Sequence, residues 1–175
     1  MTAQDVKWLQ ASARSPQELD WNAVYTDQLP RVYNYFRFRV ARSHDVEELT
    51  ARTFEKAWRA RAKYQRDLAG FSTWLFAIAR NVLTDHLRSD AVRIRAATLS
   101  DPTEQPTPEG RAMHGSDMER LAILTAGLAD RHKELIALKY GAALSNRMIA
   151  RVTGLSESNV GTTLQRIVER LRAQW

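Results

Sequence analysis

The feature that most constrains the fold is a polar, proline-containing segment at residues 97–117, with the sequence ATLSDPTEQPTPEGRAMHGSD. It holds three of the chain's five prolines and shows no apolar periodicity. Such segments stay extended and solvated because they have too little apolar surface to offset the entropy lost on ordering. We therefore predict a flexible linker here, joining two helical domains at residues 18–96 and 118–175. Residues 1–17 are predicted to form a loose N-terminal extension.

Outside the linker, apolar residues recur with a helical period and no strand-like alternation stands out, so we predict an all-α protein. In the first domain the predicted helices span residues 21–40, 45–63 and 72–89. In the second domain they span residues 117–127, 130–140, 145–153 and 157–173. The stripe that His86 shares with Leu75, Ile78 and Val82 predicts a packed histidine rather than a catalytic one.

The charge of the chain is strongly positive and unevenly distributed. Twenty-six Lys and Arg residues stand against 20 Asp and Glu residues, which gives a net charge of +6 and an isoelectric point near 10. The linker contains four acids and one base, so the rest of the chain carries +9. This balance is typical of proteins that bind nucleic acid. A solvated basic surface without a partner is the alternative that charge alone leaves open.

Several classes of protein are excluded by composition. The chain has no cysteine, so it has no disulfide, no thiolate nucleophile and no cysteine-ligated metal. Its four histidines do not show the spacing of metal ligands, so we predict neither a metal nor another cofactor. No apolar run reaches the length of a membrane span and the N-terminus lacks a signal-peptide core, so a cytoplasmic protein is expected.

The last two predicted helices have the layout of a DNA-binding helix–turn–helix. Ser145 is a predicted N-cap, Gly154 a predicted C-terminal cap, and Ser156 the N-cap of the final helix. In that helix the buried stripe contains Val160, Leu164, Ile167, Val168 and Leu171. The side chains facing away from it or flanking it are polar and suited to base edges and phosphates: Ser158, Asn159, Thr162, Thr163, Gln165 and Arg166. The alternative is the solvent-exposed face of a small helical bundle.

Two blocks of sequence resemble a known family. Residues 45–58 (DVEELTARTFEKAW) and 71–88 (FSTWLFAIARNVLTDHLR) resemble region 2 of bacterial RNA polymerase sigma factors, and the block from Leu128 to Arg172 resembles region 4. A chain with only these two regions resembles the extracytoplasmic-function (ECF) group. The resemblance implies a factor that catalyses no reaction, binds core RNA polymerase and directs it to promoters. It implies that region 2 captures the melted −10 element, that region 4 binds the −35 duplex, and that the acidic linker threads a polymerase channel. An anti-sigma factor is a further partner that the group implies.

The resemblance also implies roles for individual residues. Glu48, Arg52 and Glu55 lie where the family binds the polymerase clamp, although Ala51 and Arg52 replace the usual Gln and Glu. Asn81 aligns with a residue that helps to hold a flipped −10 base, an interaction suited to an amide. The other predicted −10 contacts are Tyr64 and Trp74 by stacking and Arg80 and Arg88 through phosphates.

For Trp74 the alternative is a place in the core. The recognition helix departs from the family as well, because Gly161-Thr162-Thr163 replaces a pattern that usually carries basic residues.

Two classes compete with the sigma-factor interpretation. One is a helix–turn–helix regulator that acts without entering the polymerase, and the other is a helical enzyme acting on nucleic acid. The sequence does not support the enzyme, because it contains no carboxylate cluster, no phosphate-binding glycine loop and no spacing of metal ligands.

Overall fold

The structure is a computed structural model that describes residues 20–64, 70–100 and 124–174. The described residues are helical with short connections and contain no strand, so the predicted all-α class is confirmed. The predicted N-terminal extension, most of the predicted helix at 117–127 and the predicted linker after Ser100 lie outside these ranges. None of the described helices is long and apolar enough to cross a membrane.

The first unit is a three-helix bundle. Helix α1 spans Trp21–Arg37, α2 spans Ser43–Ala60 and continues into a 3-10 turn at Arg61–Lys63, and α3 spans Phe71–Ser100. The predicted stripe of α2 faces the core, where Val46, Leu49, Thr53 and Ala57 are buried. Helix α2 packs on both α1 and α3. This packing leaves the opposite, charged face of α2 in solvent.

Both ends of α1 are set by local hydrogen bonds. The carboxylate of Asp20 caps α1 by accepting from the backbone N–H groups of Asn22 at 3.0 Å and Ala23 at 3.2 Å. Helix α1 ends at Arg37, three residues before the predicted end. There the N–H groups of Arg39 and Val40 both bond to the carbonyl of Phe36 and close a turn.

Helix α3 extends eleven residues beyond its predicted end at Ser89, to Ser100. The extension has no core beneath it, since Val92 is 67% and Ile94 62% exposed. Its alanine, arginine and leucine residues have high helix propensity, which accounts for a helix that apolar periodicity did not predict. Residues 97–100, predicted as the start of the linker, are therefore helical.

The second unit contains the helix–turn–helix. Helix α4 spans Asp130–Ile136 and continues into a π-helix at Ala137–Gly141, where a single α-helix was predicted. Helix α5 spans Asn146–Thr153 and α6 spans Glu157–Gln174.

The predicted caps of the helix–turn–helix are confirmed. Ser145 Oγ accepts from the N–H of Met148 at 3.3 Å, and Ser156 Oγ accepts from the N–H of Asn159 at 3.2 Å. Gly154 ends α5 in the left-handed conformation with φ of +76°. These local interactions hold α6 at a defined angle to α5.

Replacing Gly154 with alanine is expected to lower the free energy of unfolding by about 1 kcal/mol, because a Cβ atom is strained at positive φ. Chemical denaturation of the full chain measures the change. Gly127→Ala is the matched control, since Gly127 has no positive φ and open space where a Cβ would lie. Equal stability of the two variants would contradict the prediction.

The two units are packed against each other. Helix α1 lies on the π-helix and α3 lies on α5. The buried apolar residues of both units form one continuous core, from Val32 in α1 to Ile167 in α6. The sequence analysis predicted two domains joined by a linker and did not predict this contact.

Candidate nucleic-acid interface

The charged face of α2 is a candidate protein-binding surface. Glu48, Ala51, Arg52 and Glu55 are all exposed on it and line one shallow depression. Glu55 is paired with Arg59 one turn later. Because exposed ion pairs contribute little to stability, these side chains are available to a partner at small cost.

An aromatic cluster lies where α2 ends and α3 begins. The ring of Tyr64 lies 5.5 Å from that of Phe71 and 5.1 Å from that of Trp74, between centroids. Trp21 also belongs to the cluster, because its ring centroid lies 5.7 Å from that of Phe71. Tyr64 and Trp74 are partly buried, and Trp74 packs against the core while keeping part of its ring in solvent. The cluster therefore offers aromatic edges and faces to a ligand at this end of the first unit.

One face of α3 carries three of the predicted DNA contacts in a row. Trp74, Asn81 and Arg88 follow each other at intervals of seven residues, which places them about 20° apart around the helix axis from one to the next. Asn81 and Arg88 are exposed, and the structure shows no hydrogen bond or ion pair from either to another described residue. The amide and the guanidinium are thus open to a ligand that follows this face.

Arg80 lies on a different face of α3 and is engaged by the second unit. Its Nε donates to Glu134 Oε1 at 2.7 Å and its Nη2 to Glu134 Oε2 at 3.4 Å. The hydrogen bond with Glu134 raises the pKa of Arg80. The structure therefore does not group Arg80 with Asn81, although the two residues are neighbours in the sequence.

The predicted recognition face of α6 is solvent-exposed along its length. Ser158, Asn159, Thr162, Gln165 and Arg166 are exposed, and Thr163 is partly buried. Thr163 Oγ1 donates to Asn159 Oδ1 at 3.0 Å, and Gln165 Nε2 donates to Glu169 at 2.9 Å. A Cβ at Gly161 would lie 3.4 Å from Nδ2 of Asn146, an ordinary van der Waals distance, so the packing of α5 on α6 does not require a glycine here.

Additional polar residues near these surfaces were missed by the sequence analysis. The guanidinium of Arg61 lies 4.0 Å from the ring centroid of Trp58, which is half-exposed. Arg39 forms an ion pair with Asp130 of the second unit, in which Nη2 donates to both carboxylate oxygens. No sequence pattern links Arg39 with Asp130, because the partners lie 91 positions apart.

Three potential metal ligands also meet in the first unit. His86 Nε2 lies 3.4 Å from a carboxylate oxygen of Asp90 and 3.8 Å from one of Asp45. Two arginines already compensate these acids: Arg42 donates to Asp45 at 2.7 Å and Arg93 to Asp90 at 3.1 Å. The arrangement is an ion-pair network that ties α2 to α3, and the largely buried His86 is packed as predicted.

Comparison with known proteins identifies the first unit most directly. A family model described as Sigma-70 region 2 matches residues 24–93. The ECF RNA polymerase sigma factor BldN of Streptomyces coelicolor is 29% identical over 151 residues, which cover 85% of this chain and 57% of BldN. The ECF RNA polymerase sigma factor SigM of Bacillus subtilis is 26% identical over 154 residues, covering 86% of this chain and 91% of SigM.

A solved structure supports the fold of both units. The sigma factor RpoE of Bartonella quintana, solved in complex with the anti-sigma factor NepR, superimposes with a TM-score of 0.71 over 88% of this chain and 95% of that one. The sequences are 20% identical, so this likeness concerns the fold. It covers the second unit as well as the first.

Proposed function

The chain belongs to the ECF group of RNA polymerase sigma factors, and from this premise we propose that it binds core RNA polymerase and directs promoter-specific transcription initiation through the surfaces described above. The observation that carries the proposal is the match to Sigma-70 region 2 over the three helices that present Glu48, Asn81 and Arg88. A helix–turn–helix regulator acting without polymerase would have no use for this unit. The factor supplies specificity to the polymerase and catalyses no reaction itself.

We propose the exposed face of α2 as the surface that binds the polymerase. Glu48, Arg52 and Glu55 lie on it and point away from the core of the first unit. Complementary charge at such a surface steers association and fixes the register of the partners. Arg52 lies at the centre of this face as an exposed base among acids, so the surface has mixed charge.

The −10 element is assigned to α3 and the aromatic cluster. Asn81 can donate to and accept from the Watson–Crick edge of an unpaired base. Arg88, on the same face, and Arg80 contact backbone phosphates. Tyr64 and Trp74 supply partly exposed rings, on which unpaired bases stack.

The −35 element is assigned to α6, which enters the major groove of the duplex as a recognition helix. Ser158, Asn159, Thr162, Thr163 and Gln165 are the proposed contacts to base edges and phosphates, and Arg166 is the proposed phosphate contact. The exposed arginines of α5, Arg147 and Arg151, add positive charge beside this helix. Gly161 leaves the face with less charge than the family pattern supplies.

The remaining partners follow from the same proposal. A relative of the same fold was solved with an anti-sigma factor, so an anti-sigma factor is a proposed regulator of this chain too. The factor acts in the cytoplasm, where core polymerase and promoter DNA are found. The linker, with its net charge of −3, is proposed to lie in a polymerase channel built for nucleic acid.

The decisive experiment is transcription in vitro by the cognate core polymerase on a library of genomic fragments, with and without the protein. We expect a discrete set of start sites that appear only when the protein is present. Co-purification with the core enzyme is measured in parallel. A protein that fails to join the core enzyme and yields no start sites would contradict the proposal.

Glu48→Lys is expected to weaken binding to core polymerase by about tenfold, because it reverses an exposed charge on the proposed polymerase face. Fluorescence anisotropy with the labelled protein measures the affinity. Glu47→Lys is the matched control, because the adjacent Glu47 is also exposed but lies about 100° away around the helix. If both variants bind core polymerase as well as the original protein, Glu48 does not contact the polymerase.

A further inference from the structure

The end of α3 extends beyond the core of the first unit. The last buried side chain described in α3 is that of Leu83, yet the helix continues to Ser100. The side chains of residues 91–95 are all exposed, including Val92 at 67% and Ile94 at 62%. These residues belong to an extension of α3, residues 90–100, and they add surface to the first unit without adding to its core.

Arg95 continues the row of predicted DNA contacts on α3. Asn81, Arg88 and Arg95 follow each other at intervals of seven residues, each turned about 20° from the one before. Arg95 is exposed and, like Arg88, shows no hydrogen bond or ion pair with another described residue. Ala91 and Val92 flank the row between the two arginines. Their short side chains allow a ligand to approach this face of the helix closely.

The opposite side of the extension is held by ion pairs. Asp90 pairs with Arg93 at 3.1 Å and lies 3.9 Å from Nη2 of Arg42, which precedes α2. Because Asp90 lies about 160° from Arg88 around the helix axis, these contacts turn the row of arginines away from α2. Asp90 and Arg93 compensate each other, so the positive charges of Arg88 and Arg95 stay uncompensated.

The charge and the length of this face fit the backbone of duplex DNA. Arg95 lies 14 positions beyond Asn81, which is about 21 Å along the helix axis. Duplex DNA rises about 3.4 Å per base pair, so this length spans about six base pairs. The aromatic cluster at the N-terminal end of α3 suits unpaired bases, whereas the arginines towards its other end suit phosphates. The helix is therefore built to run from the melted part of a promoter onto the paired part.

We propose that the extension of α3 binds the duplex immediately upstream of the −10 element, where Arg95 contacts a backbone phosphate about six base pairs from the base that Asn81 reads. The inference rests on the proposed function, which assigns Asn81 to an unpaired base. Arg95 lies beyond residues 24–93, which match Sigma-70 region 2, so this contact adds to those that the match supports. A phosphate contact has no sequence preference of its own, so it strengthens binding and fixes the register of the duplex on α3.

The test measures the affinity of the polymerase complex for fork probes made from a promoter that transcription in vitro has identified. Each probe has a single-stranded −10 element and lacks the −35 element, so α6 does not contribute. The long probe carries about ten base pairs of upstream duplex and the short probe about three, which end beyond the proposed contact and before it. Arg95→Gln removes one charge. Arg93→Gln is the matched control, because Arg93 is also exposed but lies about 160° away around the helix.

We expect Arg95→Gln to weaken binding of the long probe by about three- to tenfold and to lower the slope of affinity against salt by about one unit. Binding of the short probe should stay unchanged, which excludes a general loss of structure. Arg95→Lys, which keeps the charge, should retain the salt slope, and Arg93→Gln should match the original protein on both probes.

Two results would overturn the proposal. One is equal affinity of Arg95→Gln and Arg93→Gln for the long probe. The other is weaker binding of Arg95→Gln to core polymerase in the absence of DNA, which would assign the extension to the enzyme.

The outcome is distinguishable from a failure of the proposed function. If the original protein initiates transcription but Arg95→Gln binds both probes normally, the duplex contact alone is wrong. If the original protein yields no start sites with core polymerase, the proposed function is wrong, and the duplex contact is rejected with it.

Discussion

Replacing Asn81 with alanine is expected to reduce discrimination at one position of the −10 element by about 5- to 150-fold, which corresponds to about 1–3 kcal/mol. The amide is exposed, has no partner among the described residues and lies in line with Trp74 and Arg88 on α3. Because Asn81 is proposed to contact one unpaired base, its replacement should change the base preference at that position alone. Binding of the polymerase complex to single-stranded −10 probes, varied one base at a time, measures the effect.

Arg166→Ala is the comparison variant, because Arg166 is exposed on α6 and is proposed to contact phosphate in the −35 duplex. It is expected to weaken duplex binding to all sequences alike and to lower the slope of affinity against salt by about one unit. Its preference on single-stranded −10 probes should be unchanged. If Asn81→Ala also leaves the −10 preference intact, Asn81 is only a surface residue and the base pocket lies elsewhere.

Phe76→Ala is expected to lower the free energy of unfolding by about 3–5 kcal/mol. Phe76 is fully buried in α3, its ring lies 5.8 Å from that of Tyr35, and the guanidinium of Arg31 lies 6.0 Å from its centroid. The substitution leaves a cavity between α1 and α3 that neighbouring side chains fill only in part. Since a domain of this size is stable by about 5–15 kcal/mol, much of its stability would be lost. Urea denaturation of the full chain measures the change.

Two further variants separate the cavity from other causes. Phe76→Leu keeps most of the volume and is expected to lose less than half as much stability. Tyr35→Phe removes a buried hydroxyl that has no hydrogen-bond partner among the described residues and whose pKa is raised by burial, so it should not destabilise the chain. A loss for Phe76→Ala no larger than that of Phe76→Leu would show that the site collapses and that the predicted cavity does not form.

The parts of the fold that sequence analysis predicted correctly depend on local chemistry. Ser145, Gly154 and Ser156 act on backbone groups within a few residues, so the helix–turn–helix could be predicted from them. The buried stripe of α2 follows from helical geometry and a single apolar face. The end of α3 could not be predicted in this way, because the helix continues into solvent on intrinsic propensity and has no apolar face to mark its length.

In the candidate site, too, some features could be predicted from the sequence and others could not. Resemblance to a family selected Glu48 and Asn81, helical periodicity selected Arg166, and all three are exposed in the structure. The ion pair between Arg80 and Glu134 could not be predicted, because the two residues lie 54 positions apart and meet only when the two units pack together. The Asp45–His86–Asp90 network was missed for the same reason, since it joins two helices.

The packing of the π-helix on α1, which brings Gly141 close to Phe38, also makes the contact between the two units sensitive to temperature. Separating the units brings water onto apolar groups, which raises the heat capacity, and apolar association weakens on cooling. The cost of removing water from charged groups rises in the cold too, which weakens Arg39–Asp130 and Arg80–Glu134 at the same time. Both contributions change in the same direction. Cooling is therefore expected to loosen the contact between the two units.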